Sequence, residues 1–128
     1  MITKAHHGQQ GSGTMLTVGI MTVFLMFGAL GAVLGGYAMA AHGARAAADL
    51  TALAAAQSMN AGDQPCRVAE DIAERNHAEL TGCTLTGTAG DFVVAVSVRA
   101  RVRFQLPGLP SVVNAHAWAG VAAVTTGH

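Results

Sequence analysis

The stretch from Met15 to Ala41, MLTVGIMTVFLMFGALGAVLGGYAMAA, decides how the rest of this chain is read. It is longer than the roughly 20 apolar residues that cross a hydrocarbon core of about 30 Å. Lipid offers the backbone no hydrogen-bond partners, so such a run is expected to be helical throughout. No Asp, Glu, Lys or Arg occurs from Ala5 to Ala44. The charge shortage of the whole chain, 11% charged against 52% hydrophobic residues, is therefore concentrated at one end. A buried core helix is the competing explanation, but 128 residues leave too little chain to surround so long an apolar rod. A cleaved secretory signal is the other, since Ala38-Met39-Ala40 has a small-x-small pattern. Its apolar run would be well beyond the usual 7–15 residues or so.

Working outward, residues 1–13 read as a short polar leader with Lys4 before the span, and 14–41 as the transmembrane helix. Positive charges barely distinguish the two flanks, with Lys4 on one side and Arg45 on the other. A cytosolic leader leaves the larger C-terminal part extracytoplasmic. Gly28, Gly31, Ala32, Gly35 and Gly36 fall at spacings that let a second helix approach closely. They equally suit the general abundance of glycine in membrane helices.

Residues 42–61 continue as an Ala-rich helical stalk of strong helix formers. Leu50, Leu53, Ala54 and Gln57 are expected to share a face, with Arg45 and Asp49 paired at i, i+4. Gly35-Gly36 and Gly43 are the expected bends. Residues 62–128 then read as an α+β head. Asp63 is placed to cap a second, amphipathic helix with Pro65 in its first turn, running toward a stop at Gly82. Val68, Ala69, Ile72, Ala73, Asn76 and Leu80 form its apolar stripe.

The helix has a small antiparallel sheet to cover. From Asp91 to Leu106, Phe92, Val94, Val96, Val98, Ala100, Val102 and Phe104 alternate with Val93, Ala95, Ser97, Arg99, Arg101 and Arg103. QLPGLPS turns the chain into a third extended run, Val112 to Thr125, and Thr84 to Thr88 supplies a short edge. Arg99, Arg101 and Arg103 offer a contact surface for anionic lipid heads, glycans or an acidic partner. A solvated face that blunts sheet association is the plainer reading.

Cys66 and Cys83 lie seventeen positions apart without metal-motif companions. A helix filling that interval would hold them some 20 Å apart, whereas a disulfide needs Cα atoms within about 7 Å. A direct bridge requires a shorter or broken helix; free or intermolecular thiols are the alternatives. The six histidines are scattered, and Ser12, Ser58, Ser97 and Ser111 have no evident partner. With no nucleophile elbow, phosphate loop or acid/base pair, nothing argues for an enzyme, a cofactor or a metal. No basic run suggests nucleic-acid binding.

The order Gly11-Ser12-Gly13-Thr14, apolar helix, His42-Gly43-Ala44-Arg45-Ala46-Ala47-Ala48-Asp49-Leu50-Thr51-Ala52-Leu53-Ala54-Ala55-Ala56, then Cys66, Cys83 and Leu106-Pro107-Gly108-Leu109-Pro110 resembles the actinobacterial TadE-like proteins. These are relatives of the minor pilins of tight-adherence (Flp, type IVc) pili. The resemblance implies a single-pass pseudopilin, or a pilus-assembly accessory, that works with other pilin-like subunits, platform proteins and a secretion-type ATPase. It also implies a prepilin-type peptidase cutting after Gly11, before Ser12, with Gly13 as the alternative position. The pattern departs at Leu16 (or Val18, for a cut after Gly13), where such leaders carry a Glu five residues past the cut. A binding module of another export system, secreted or membrane-tethered, is the alternative.

Overall fold

The computed structural model describes residues 12–88, 90–103 and 105–123. Two helices are followed by three strands: α1 (Ser12–Ala61), α2 (Pro65–Arg75), β1 (Ala78–Thr88), β2 (Asp91–Arg101) and β3 (Val112–Val121). The architecture is α+β, with a long apolar N-terminal helix, a second helix and one antiparallel sheet in the order β1-β2-β3. Two compact units divide at Gly35/Gly36.

The first unit is the N-terminal part of α1. The apolar side chains from Met15 to Leu34 are exposed almost without exception. Two hydroxyls in this apolar setting are satisfied locally, as Thr17 donates to the Gly13 carbonyl and Thr22 to that of Val18, each at 2.8 Å. The helix continues without interruption through Gly35, Gly36 and Gly43.

The second unit, Gly36–His128, holds the core. The buried stripe of α1 is Ala44, Ala47, Ala48, Thr51, Ala52, Ala55 and Ser58, the i, i+3, i+4 spacing of a helix face. Leu50, Leu53, Ala54 and Gln57 share the opposite face, as expected, and that face is the exposed one, with Leu50 and Leu53 half exposed. Short methyl side chains let the helix axis come close to other elements, and two leucines on the alanine face would hold it off. Arg45 and Asp49 do not pair either; among the described residues the ion pair is Asp71–Arg75, at 2.9 Å.

The junction between the helices corrects a second expectation. Gly62 adopts a left-handed φ of 80°, its N–H bonds to Met59, and the Asp63 N–H bonds to Ser58. This is the paired closure that ends a helix at a left-handed glycine. Asp63 thus belongs to the end of α1 and does not cap α2. The capping position is Gln64, which makes no side-chain capping bond, with Pro65 as the first helical residue. There proline's fixed φ suits the helix and its missing N–H has no intrahelical role.

Helix α2 also stops at Arg75, earlier than the stripe through Asn76 and Leu80 suggested. The Asn76 amide bonds back to the Ile72 carbonyl, and His77 takes φ 56°, reversing the chain. Strand β1 therefore starts at Ala78 and is eleven residues long, not a short edge at Thr84–Thr88.

In β2 the alternation is as the sequence lays it out. Phe92, Val94, Val96, Val98 and the following Val102 are buried, Ala100 is partly so, and Arg99, Arg101 and Arg103 are exposed. Phe104 lies outside the described residues. β1 and β2 pair from Ala78↔Ala100 to Thr88↔Asp91, with a bulge between Leu80 and Gly82; β2 and β3 pair from Phe92↔Val121 to Arg101↔Val112 without one. The second hairpin is closed by Leu109 N–H to Leu106 C=O, with Pro107 and a left-handed Gly108 at the turn's centre. β3 ends at Val121, short of the expected Thr125, which lies outside the described residues.

Candidate interaction surfaces

The expected leader site divides at the boundary of the described residues: Gly11 lies outside them and Ser12 opens α1. Beyond it, Gly28, Gly31, Ala32 and Gly35 are exposed and Gly36 is half-buried. A Cβ built on Gly28, Gly31 or Gly35 would meet nothing within 4 Å. At these three glycines the stripe is thus open among the described residues.

Cys66 and Cys83 form a disulfide, with Cα atoms 5.7 Å apart. The 20 Å separation applied to a helix reaching Gly82. Because α2 ends at Arg75 and β1 returns alongside it, Cys83 arrives next to the first turn of α2. The bond ties α2 to an edge strand of the sheet.

The outer face of the sheet carries Arg99 and Arg101, with Arg103 just past β2, all exposed and without an ion pair among the described residues. Glu79 stands opposite Arg99 in the ladder, but they do not pair. The same face carries features the sequence did not single out. Ser97 Oγ and His116 Nδ1 are hydrogen-bonded at 2.7 Å across the β2–β3 register, so Ser97 does have a partner. Trp118, opposite Ala95, is 70% exposed. The serine–histidine contact fixes the ring on the sheet. No carboxylate hydrogen-bonds that ring among the described residues, so it lacks the third group that orients a catalytic base. No group of three or more His, Cys, Asp or Glu side chains that could hold a metal ion occurs among the described residues.

The two edges of the sheet differ. β1 carries the bulge, Glu79 and the disulfide to α2. β3, with sequence VVNAHAWAGV, has no charge, no proline and no bulge. A shallow cleft runs beside it, lined by Arg45 and Asp49 of α1 and by Asn114, His116 and Trp118.

Residues 11–58 match the family model described as "Putative Flp pilus-assembly TadE/G-like". Over that stretch the chain is similar to the family. The match covers the apolar helix and the alanine stripe that enters the core, and the family is described as one of Flp pilus assembly. That family is a pilus-assembly component and not an enzyme family. No curated protein and no solved structure matches the chain. One long apolar helix near the N-terminus fits a single-pass membrane protein in a pilus system.

Proposed function

We propose that this TadE-like chain is a single-pass minor pilin, or pilus-assembly accessory, whose N-terminal helix stays in the membrane and whose head is extracytoplasmic. The observation that carries the reading is a coincidence on one helix. The segment that matches the pilus-assembly family contains an 18-residue apolar window with none of its residues buried. Exposed in water, that surface would be a severe aggregation liability; in lipid it is at its ordinary level of solvation. The small residues Gly28, Gly31, Ala32, Gly35 and Gly36 serve as the approach face for another subunit's helix, and Arg99, Arg101 and Arg103 as a contact surface on the head. Other pilin-like subunits and the platform proteins are the partners. A prepilin-type peptidase would cut after Gly11. With Leu16 where the registering Glu is expected, a priming or capping role suits the chain better than bulk polymerisation.

The test is made on the full chain expressed in a pilus-bearing host. It should resist alkaline extraction from membranes, dissolve in detergent, be digested in its head by protease added outside the cytoplasm, and co-purify with pilus-assembly proteins. Recovery as a soluble cytosolic monomer would refute the anchor, and intact membranes without any pilus component attached would refute the assembly role.

A second reading, a binding module secreted after Ala40, draws on one observation: the first buried residue of the core is Ala44, so that cut would remove none of it. The mature N-terminus separates the readings. It falls at Ser12 or Thr14 for pilin-type processing, near Ala41 for secretion, and at Met1 for a plain anchor.

A further inference from the structure

We infer that the head of this chain docks on the bilayer that its own helix enters, with Trp118 seated among phospholipid headgroups beside Arg45. The inference rests on the anchor reading above, in which the span ends at Ala41. From Ala41 to Arg45 helix α1 is unbroken, so Arg45 stands about 6 Å past the apolar run at 1.5 Å per residue. The polar layer on each side of the hydrocarbon is of similar depth, roughly 5–7 Å. Arg45 is also the first Asp, Glu, Lys or Arg after the apolar run. It lines one cleft with His116 and Trp118 of β3. Ala41, Arg45 and β3 all belong to the second compact unit. Whatever level Arg45 takes in the headgroup layer, Trp118 is therefore close to it.

The exposed side chains in that cleft suit a lipid surface. Trp118 is 70% exposed, and its neighbour across the ladder, Ala95, is too small to cover it. Its indole N–H makes no hydrogen bond among the described residues. An indole has a broad apolar body and a single donor. The headgroup region offers both counterparts, an apolar acyl boundary and ester and phosphate oxygens, which is why tryptophan concentrates there. The Arg45 guanidinium matches phosphate oxygens in the same layer. Asp49 follows one turn later, about 6 Å farther along the helix, so the acidic partner in the cleft lies beyond the phosphates. Because the helix tethers the head, lipid is always at high effective concentration, and a contact weak in itself is enough to hold.

Trp118 is the chain's single tryptophan, so its fluorescence reads this site alone. The experiment uses the full chain in phosphatidylcholine vesicles, with nitroxide quenchers placed on the headgroup, high on the acyl chain or deep within it. Flotation of the vesicles reads the anchor separately. Trp118 should emit at shorter wavelength than an indole in water and resist aqueous iodide. Headgroup and shallow nitroxides should quench it more than deep ones. A second chain, Trp118→Phe with Gln57→Trp, moves the indole to an exposed helix position about 18 Å farther from the bilayer along α1. That indole should stay open to iodide and unquenched by lipid. Arg45→Glu sets a carboxylate against the phosphates and should lessen the quenching of Trp118. Circular dichroism checks that both variants stay folded. Floating vesicles in which Trp118 is open to iodide and unquenched would overturn the inference and leave the anchor standing. Protection from iodide without lipid quenching would seat the indole on protein, and equal quenching at positions 118 and 57 would remove the preferred face; each overturns it as well. Unchanged quenching in Arg45→Glu would overturn the seat beside Arg45. A chain that does not float with the vesicles would refute the anchor and this inference together.

Discussion

The Cα atoms of Cys66 and Cys83 lie 5.7 Å apart because β1 retraces the path of α2. The helix rises about 1.5 Å per residue and the strand about 3.3 Å, so a few strand residues recover the length of the whole helix. The bond then closes a loop holding α2 and the reversal at His77. Closing a loop of about 15 residues is worth about 3 kcal/mol in the unfolded chain. The Cys66→Ser, Cys83→Ser double variant should lose about that much, read as a lower denaturant midpoint. In the wild-type chain, alkylation followed by mass spectrometry should leave both sulfurs unmodified until a reductant is added.

Thr51 is fully buried on the alanine stripe, and its hydroxyl has no hydrogen-bond partner among the described residues. Val has nearly the same shape and a similar helix propensity, without the desolvated oxygen. Thr51→Val should therefore raise stability by about 1 kcal/mol, seen as a higher melting temperature in mild detergent. A drop would mean that the hydroxyl is satisfied in the native chain.

The two faces of the stalk should respond oppositely to added and removed bulk. Ala48 is fully buried, and Ala48→Leu should cost about 1–3 kcal/mol by overpacking. Leu50 is 51% exposed, and Leu50→Ala should stay within about 0.5 kcal/mol of wild type in head stability. Thermal melts of the two variants side by side check this. The reverse ranking would put the leucines in the core.

Gly120 sits where a Cβ would run into the Phe92 carbonyl oxygen and the Val93 Cα of the neighbouring strand. Backbone atoms in a ladder cannot move aside as a flexible side chain can. Gly120→Ala should destabilise the head by about 1–3 kcal/mol, with the loss of amide protection greatest at the Phe92–Gly120 end of the β2–β3 ladder.

How far these features can be read in advance depends on the range of the interactions that set them. The apolar run of α1 and the alternation from Phe92 to Val102 are local periodic signals, and both elements appear where the periods place them. The buried face of the stalk is not local. Leu50 and Leu53 are the larger apolar residues, but the demand for close approach is met by alanines on the opposite face. The end of α2 was obscured because Leu80 fits a helical stripe as well as the inner face of a strand. The decision is made at His77, whose left-handed backbone no pattern of side chains announces. The Ser97–His116 contact joins residues nineteen apart through the strand register, and neither residue alone carries a sign of it. The arginine row was legible as a row; its lack of ion-pair partners among the described residues was not.

Because α1 contributes both the exposed apolar rod and one wall of the core, the folded part of this molecule cannot be excised at a helix boundary. Scissors applied at Ala61 would strip away the alanine wall and bare the valines of β2 to water. A cut between Gly36 and Ala44, in mid-helix, spares every buried side chain. Any water-soluble version must therefore begin inside an unbroken helix, with a new amino terminus that has Gly36 or Gly43 to cap its first turn and no side-chain oxygen from Ser, Thr, Asp or Asn.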